Sequence, residues 1–191
     1  MRFEFSTARR IIFGNGSRDQ LLPSVSKIGH NACIITGRSI DHAKPLTDQL
    51  NRAGIKTTIF QVTGEPTTTM ALQSIEHARL HNCDMVIAIG GGSVIDTGKV
   101  VAALLTNSGE LFDYLEVIGR GKSISVQPVP FIAIPTTAGT GAEVTRNAVL
   151  GSPENKVKVS MRSPLMLPYL TIVDPELTYS MSPEITASTR T

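Results

Sequence analysis

The apolar residues of this chain fall into short continuous runs separated by longer amphipathic stretches. Four runs stand out: Ala32-Cys33-Ile34-Ile35, Thr57-Thr58-Ile59-Phe60, Met85-Val86-Ile87-Ala88-Ile89 and Phe131-Ile132-Ala133-Ile134, with Thr171-Ile172-Val173 as a fifth. They do not alternate with polar residues, which predicts strands buried on both faces of a parallel sheet. Between them, residues 39–53 read as a helix stopped by Gly54, residues 67–81 as a helix with Ala71, Leu72, Ile75 and Ala78 on one face, and residues 93–105 as a helix rich in Ala, Val and Leu. Strand, helix and strand in series predict an α/β fold: an open, mostly parallel Rossmann-like sheet with helices on both faces.

Two regions break this rhythm. Phe3-Glu4-Phe5 and Arg10-Ile11-Ile12-Phe13, closed by Gly14-Asn15-Gly16, predict an N-terminal β-ribbon. Residues 144–150 and 156–160, joined by Gly151-Ser152-Pro153-Glu154-Asn155, predict an additional β-hairpin. At the other end Ser182-Pro183 is a good helix start, with Ser182 as N-cap and Pro183 as the first helical residue.

Composition narrows the class. The 191 residues are 41% hydrophobic and 18% charged, enough for one packed domain, or one domain with a trailing piece. The net charge is +2 and the cations are scattered, which argues against a nucleic-acid groove or an anionic membrane surface. No apolar run approaches the ~18 residues that span a bilayer. The two cysteines, Cys33 and Cys83, are far apart in sequence and sit in or beside apolar runs, so they read as buried, reduced thiols of a cytoplasmic protein.

The candidate chemistry lies in two loops. Gly90-Gly91-Gly92-Ser93-Val94-Ile95-Asp96-Thr97-Gly98-Lys99 follows the third strand of the series and opens a helix. Three glycines let backbone approach a ligand closely, and a helix start offers unpaired N–H groups and the positive end of the helix dipole. An anion is the expected ligand, although the run is not the G-x-G-x-x-G fingerprint. Ser93 and Asp96 have the spacing of a capping box, so each can serve as a cap, a ligand contact or both. The second loop, Pro135-Thr136-Thr137-Ala138-Gly139-Thr140-Gly141-Ala142-Glu143, follows another strand and places hydroxyls and glycines at the same sheet edge. In open parallel sheets that edge is where ligands bind.

These loops, in this order, together with Val173-Asp174-Pro175-Glu176-Leu177-Thr178 and the opening Ile11-Ile12-Phe13-Gly14-Asn15-Gly16, resemble the iron-containing (group III) alcohol dehydrogenase family across essentially the whole chain. The resemblance implies an N-terminal dinucleotide-binding domain, residues 1–181 here, followed by a helical metal-binding domain of which residues 182–191 would be the start. It implies that Gly91, Gly92 and Ser93 contact the pyrophosphate and Asp96 the nicotinamide side. Thr136, Thr137 and Thr140 would line the adenine and phosphate region. Lys158 matches a family lysine near the ribose; by charge pattern alone it is a solvated hairpin lysine.

The implied reaction is hydride transfer between NAD or NADP and a small alcohol or aldehyde, assisted by a divalent metal (iron or zinc) acting as a Lewis acid. The family pattern sets the metal-binding Asp just beyond Thr191 and the remaining ligands, three His, in the helical domain. The chain is therefore expected to hold no catalytic residue and no metal ligand, and to be inactive alone. His77 and His81 share an i, i+4 spacing but are expected on the solvent side of their helix without a third ligand; His30 and His42 are expected to be solvated. After the first strand the chain reads Thr36-Gly37-Arg38, with Gly37 where an acidic residue would favour NAD and Arg38 able to meet a 2′-phosphate, which leans towards NADP. Family habit also implies a homodimer through the N-terminal ribbon. Competing readings are glycerol dehydrogenase, maleylacetate reductase or a dehydroquinate-synthase-like enzyme of the same superfamily, a non-catalytic dinucleotide-binding module, and a sugar-phosphate binder.

Overall fold

The computed structural model describes residues 2–181. The expected helix start at Ser182 and the expected second domain lie outside them. The elements in order are β1 (Ile11–Phe13), α1 (Leu21–Val25), β2 (Asn31–Thr36), α2 (Ala43–Arg52), β3 (Lys56–Gln61), α3 (Thr68–Leu80), β4 (Met85–Gly90), α4 (Gly92–Thr106), α5 (Leu111–Tyr114), β5 (Phe131–Pro135), β6 (Asn147–Ser152), β7 (Val157–Arg162) and β8 (Leu170–Val173). Six strands form one parallel sheet in the order β1-β8-β5-β4-β2-β3, and β6 and β7 form a separate antiparallel hairpin.

The side-chain period of two divides each central strand between two cores. Cys33, Ile35, Val86, Ala88, Phe131 and Ala133 face α3, α4 and the hairpin. Ala32, Ile34, Met85, Ile87, Ile132 and Ile134 face α1 and α2. This explains the continuous apolar runs: both faces of β2, β4 and β5 are covered. α4 sits close on the sheet because Gly98 has no side chain. A Cβ there would lie 2.6 Å from the Phe131 ring and 2.9 Å from Ala88 Cβ.

Three expectations need correction. No N-terminal ribbon forms: β1 runs parallel to β8, Ile11 against Thr171, and residues 3–5 belong to no strand. A two-stranded ribbon has little stability of its own, while β8 offers β1 a full ladder at a sheet already packed on both faces. Phe3 and Phe5 stay 86% and 80% exposed. The 57–60 run is not doubly buried either; β3 is an edge strand with Lys56, Ile59 and Gln61 exposed. The helix expected from residue 39 starts at Ala43, because Ser39 Oγ accepts the Asp41 N–H at 3.1 Å and fixes a turn first.

The strand order sets the location of the site. β2 lies between β3, which follows it, and β4, which comes third, so the direction of winding reverses between β2 and β4. The crevice outside the carboxyl ends of such a pair is the natural ligand position. Gly37 leaves β2 and Gly91 leaves β4 at that point.

Candidate functional site

The glycine loop is short. β4 ends at Gly90, Gly91 is the extended N-cap, and α4 begins at Gly92. Gly91 O accepts from Val94 N–H and Ile95 N–H, both at 3.1 Å. No side chain caps this helix, so Ser93, in the first turn, is not its N-cap. Gly91 O meets two of the first-turn N–H groups, which leaves those of Gly92 and Ser93, and the helix dipole, without a protein acceptor at the crevice, as an anion site needs.

The second loop closes against the first. Thr136 N–H donates to Gly90 O at 3.0 Å, extending the β4–β5 ladder by one step. A Cβ on Gly91 would stand 3.3 Å from Thr137 Oγ1, and one on Gly92 3.2 Å from Thr140 Cγ2. The two glycines thus let two threonines approach closely, independently of any ligand. Gly139 and Gly141 have φ of 128° and 62°, which lets the loop turn back into the Ala142–Val144 turn. Thr137 Oγ1 is buried without a hydrogen-bond partner, directly beside Gly91. A buried, unsatisfied hydroxyl at the mouth of a helix N-terminus fits a phosphate oxygen as its missing partner.

Asp96 departs from its expected surroundings. Its Oδ2 accepts the Val149 N–H of β6 at 3.0 Å, and its Oδ1 lies 3.4 Å from Lys99 Nζ. Lys99, fully buried, also donates to Thr145 Oγ1 at 3.0 Å and to Asn147 O at 2.7 Å. Burial pushes the Asp96 carboxyl above its ordinary range, opposed by the Lys99 ammonium. Burial likewise lowers Lys99, opposed first by Asp96. Glu143 adds a second carboxylate near Lys99, and its Oε2 is buried without a partner. Neither Lys99 nor Glu143 was singled out from the sequence. A lone lysine within Val94-Ile95-Asp96-Thr97-Gly98-Lys99-Val100-Val101-Ala102-Ala103-Leu104 was the available signal, since a cation in so apolar a helix must find partners.

The remaining candidates lie around this centre. Gly37 is partly exposed, and a Cβ on it would meet only Val94 Cγ2, at 3.9 Å. Arg38 is exposed, with its carbonyl accepting from Gln61 Nε2 at 3.0 Å. Lys158, on β7, pairs with Glu65 at 2.7 Å across two exposed side chains. The hairpin reaches the β3–α3 connection there, because Gly151 N–H donates to Pro66 O at 2.8 Å.

The histidines are elsewhere. His77 is not on the solvent side as expected: its Nε2 is 2.7 Å from Thr58 Oγ1, and its ring packs 4.5 Å from that of His81. His42 Nε2 is 3.0 Å from Ser180 Oγ. Among the described residues no group of three His, Cys, Asp or Glu could hold a metal ion. Cys33 and Cys83 are free and buried, and no helix among those residues is long and apolar enough to cross a membrane. A cavity of about 430 Å³ between Ala102, Phe131, Pro164 and Tyr169 opens at the amino edge of the sheet, away from the loops.

Residues 8–175 match the family model described as iron-containing alcohol dehydrogenase. The chain belongs to that family. It is 38% identical over 148 residues to choline dehydrogenase of Bacillus subtilis (strain 168), covering 77% of this chain and 37% of that protein. It is 35% identical over 191 residues to long-chain-alcohol dehydrogenase 1 of Geobacillus thermodenitrificans (strain NG80-2), covering 94% and 48%. Among solved structures, a 1,3-propanediol oxidoreductase superposes with a TM-score of 0.89 at 31% identity, covering 99% of this chain and 50% of that one. A sulfoacetaldehyde reductase from Bifidobacterium kashiwanohense in complex with NAD+ superposes with a TM-score of 0.88 at 33% identity, with the same coverage. The chain thus spans half or less of the length of these relatives.

Proposed function

We propose that this chain is the dinucleotide-binding half of an NAD(P)-dependent alcohol dehydrogenase or aldehyde reductase. The observation that carries the reading is the closed pair of loops at the winding reversal: two glycines in contact with Thr137 and Thr140, an uncapped helix start, and an orphaned hydroxyl between them. In this reading Gly91, Gly92 and Ser93 hold the pyrophosphate, and Thr136, Thr137 and Thr140 flank it. Gly37 and Arg38 face the adenosine ribose. Lys158 reaches the ribose from the hairpin, exchanging Glu65 for it. Asp96 serves the nicotinamide side from beneath, by fixing β6.

When bound, the nicotinamide supplies a hydride acceptor or donor for an alcohol or aldehyde carbon. What this chain contributes is anchorage and orientation: phosphate charge is met by helix amides, and the flanking loops fix where the ring emerges. The described residues offer a family metal no group of three ligands. The relatives are named for choline and for long-chain alcohols, which supports an alcohol or aldehyde as the substrate class. The free, buried thiols and the near-neutral charge support a cytoplasmic protein without a nucleic-acid partner. The edge position of β1, with Ile11 and Phe13 exposed, supports pairing with a second copy.

Titration calorimetry with NADPH and NADH tests the reading. The expected result is tighter NADPH binding, with Arg38→Ala removing most of the difference. Gly37→Asp, which has room for its side chain, should reverse the preference by about 10-fold through bonds to the ribose hydroxyls and repulsion of a 2′-phosphate. Equal affinities unchanged in both variants would remove Gly37 and Arg38 from the site, and binding of neither dinucleotide would remove the site itself.

A further inference from the structure

β6 pairs with β7 through one edge only. Its other edge presents backbone groups that need partners, as any buried strand edge does. Three are met: Asn147 O accepts from Lys99 Nζ at 2.7 Å, Val149 N–H donates to Asp96 Oδ2 at 3.0 Å, and Gly151 N–H donates to Pro66 O at 2.8 Å. Two of the three partners are side chains of α4, one turn apart, standing where a neighbouring strand would be. An acceptor and a donor at i and i+3 on a helix match an N–H and a C=O two residues apart on a strand edge. The helix that opens at the glycine loop therefore carries the hairpin.

The far end of that hairpin carries Lys158. Lys158 lies opposite Gly151 in the β6–β7 register, next to the β3–α3 connection, at the carboxyl edge of the sheet where both loops sit. Its recorded partner, Glu65, is an exposed carboxylate, a contact worth little in water. Its placement is thus set by the hairpin rather than by that ion pair.

We propose that Asp96 and Lys99 are positioning residues for the cofactor: they hold the edge of β6 so that Lys158 stands over the groove, and they act on dinucleotide affinity through Lys158. This rests on the dinucleotide reading of the glycine loop. It also gives the buried charges of α4 a role without contact with cofactor.

A double-mutant cycle tests it, with NADPH and NADH titrated into the full chain and its Lys99→Met, Lys158→Ala and doubly substituted forms. Each single change should weaken binding about 10-fold, and the double form should bind within about 2-fold of Lys158→Ala, because Lys99 has nothing left to position. Lys99→Arg, which can still donate to Asn147 O, should restore most of the affinity. Because Lys99→Met leaves Asp96 buried beside a hydrophobe and can unfold the chain, Val149→Pro is the second variant. It removes the N–H that Asp96 accepts while leaving the β6–β7 ladder intact, and should reproduce the loss without adding to Lys158→Ala. Additive losses, or wild-type affinity in Val149→Pro, overturn the positioning role. Wild-type affinity in Lys158→Ala overturns the part given to that lysine. Failure of the unsubstituted chain to bind either dinucleotide overturns the underlying reading, and the proposal with it.

Discussion

The glycine loop and the Val173–Glu176 turn both stand out in the sequence, both follow strands of the same sheet, and they differ in how their polar groups are used. In the turn every group is closed. Asp174 is buried, and its carboxylate accepts Gly16 N–H at 3.1 Å, Arg18 N–H at 3.2 Å and Glu176 N–H at 3.1 Å, with Arg18 Nη1 at 3.3 Å. In the glycine loop no side chain caps the helix amides, those of Gly92 and Ser93 stay open, and Thr137 Oγ1 has no partner. A closed set of donors and acceptors is a joint: it fastens the turn after β1 to the end of β8. An open set is a site. Equal prominence in sequence carries no information about which is which; the hydrogen-bond inventory does.

The largest effect should come from breaking the joint. Asp174→Ala leaves three backbone N–H groups without their acceptor and Arg18 with Glu176 as its remaining carboxylate, and should destabilise the chain by about 3 kcal/mol in denaturant titration. Dinucleotide affinity of the molecules that remain folded should change little. A large loss of affinity with unchanged stability would show that the turn belongs to the site.

The complementary substitution is Gly91→Val. Its backbone, at φ −78° and ψ −172°, is open to any residue, so stability should hold within the allowance of the 3.3 Å approach to Thr137. Its branched side chain would occupy the space in front of the helix amides, and dinucleotide affinity should fall by about 2 kcal/mol, roughly 30-fold. Retained affinity would mean that the open donors face something other than the cofactor.

The parts of the fold legible in the sequence are those whose residues leave few alternatives. The central strands were legible because β2, β4 and β5 are covered on both faces, and a run such as Met85-Val86-Ile87-Ala88-Ile89 has few other uses. Both loops were legible because glycine and threonine at strand ends narrow the backbone's options. β1 was misread because its partner is distant: Ile11 pairs with Thr171, and nothing local distinguishes that from a ribbon with residues 3–5. Thr57-Thr58-Ile59-Phe60 looked central because β-branched residues suit edge strands equally well. The spacing of Ser93 and Asp96 allowed a capping box, but Asp96 found the Val149 amide, 53 residues away. Local spacing shows which groups can bond nearby; competition from a distant backbone edge is set by tertiary packing, and short motifs do not encode it.

The smallest effect concerns a closed contact that contains a titrating group. His77 lies near the end of α3, at the amino edge of the sheet, with Thr58 at 2.7 Å and the Phe60 and His81 rings around it. Burial, and then the neighbouring His81, lower its pKa below the ordinary 6.5. Between that lowered value and 6.5 the unfolded chain binds more protons than the folded one, so stability should rise with pH through this window and level off above it. The ring is only partly buried, so solvent screening keeps the gain small. His77→Gln, which can still bond Thr58, should flatten the rise, and His81→Gln should reduce it by removing the like charge. Because His77 belongs to a joint at the edge opposite the loops, dinucleotide affinity measured across the same pH range should not follow this change. An affinity that tracks the His77 titration would connect the two edges of the sheet and break the separation of joint from site.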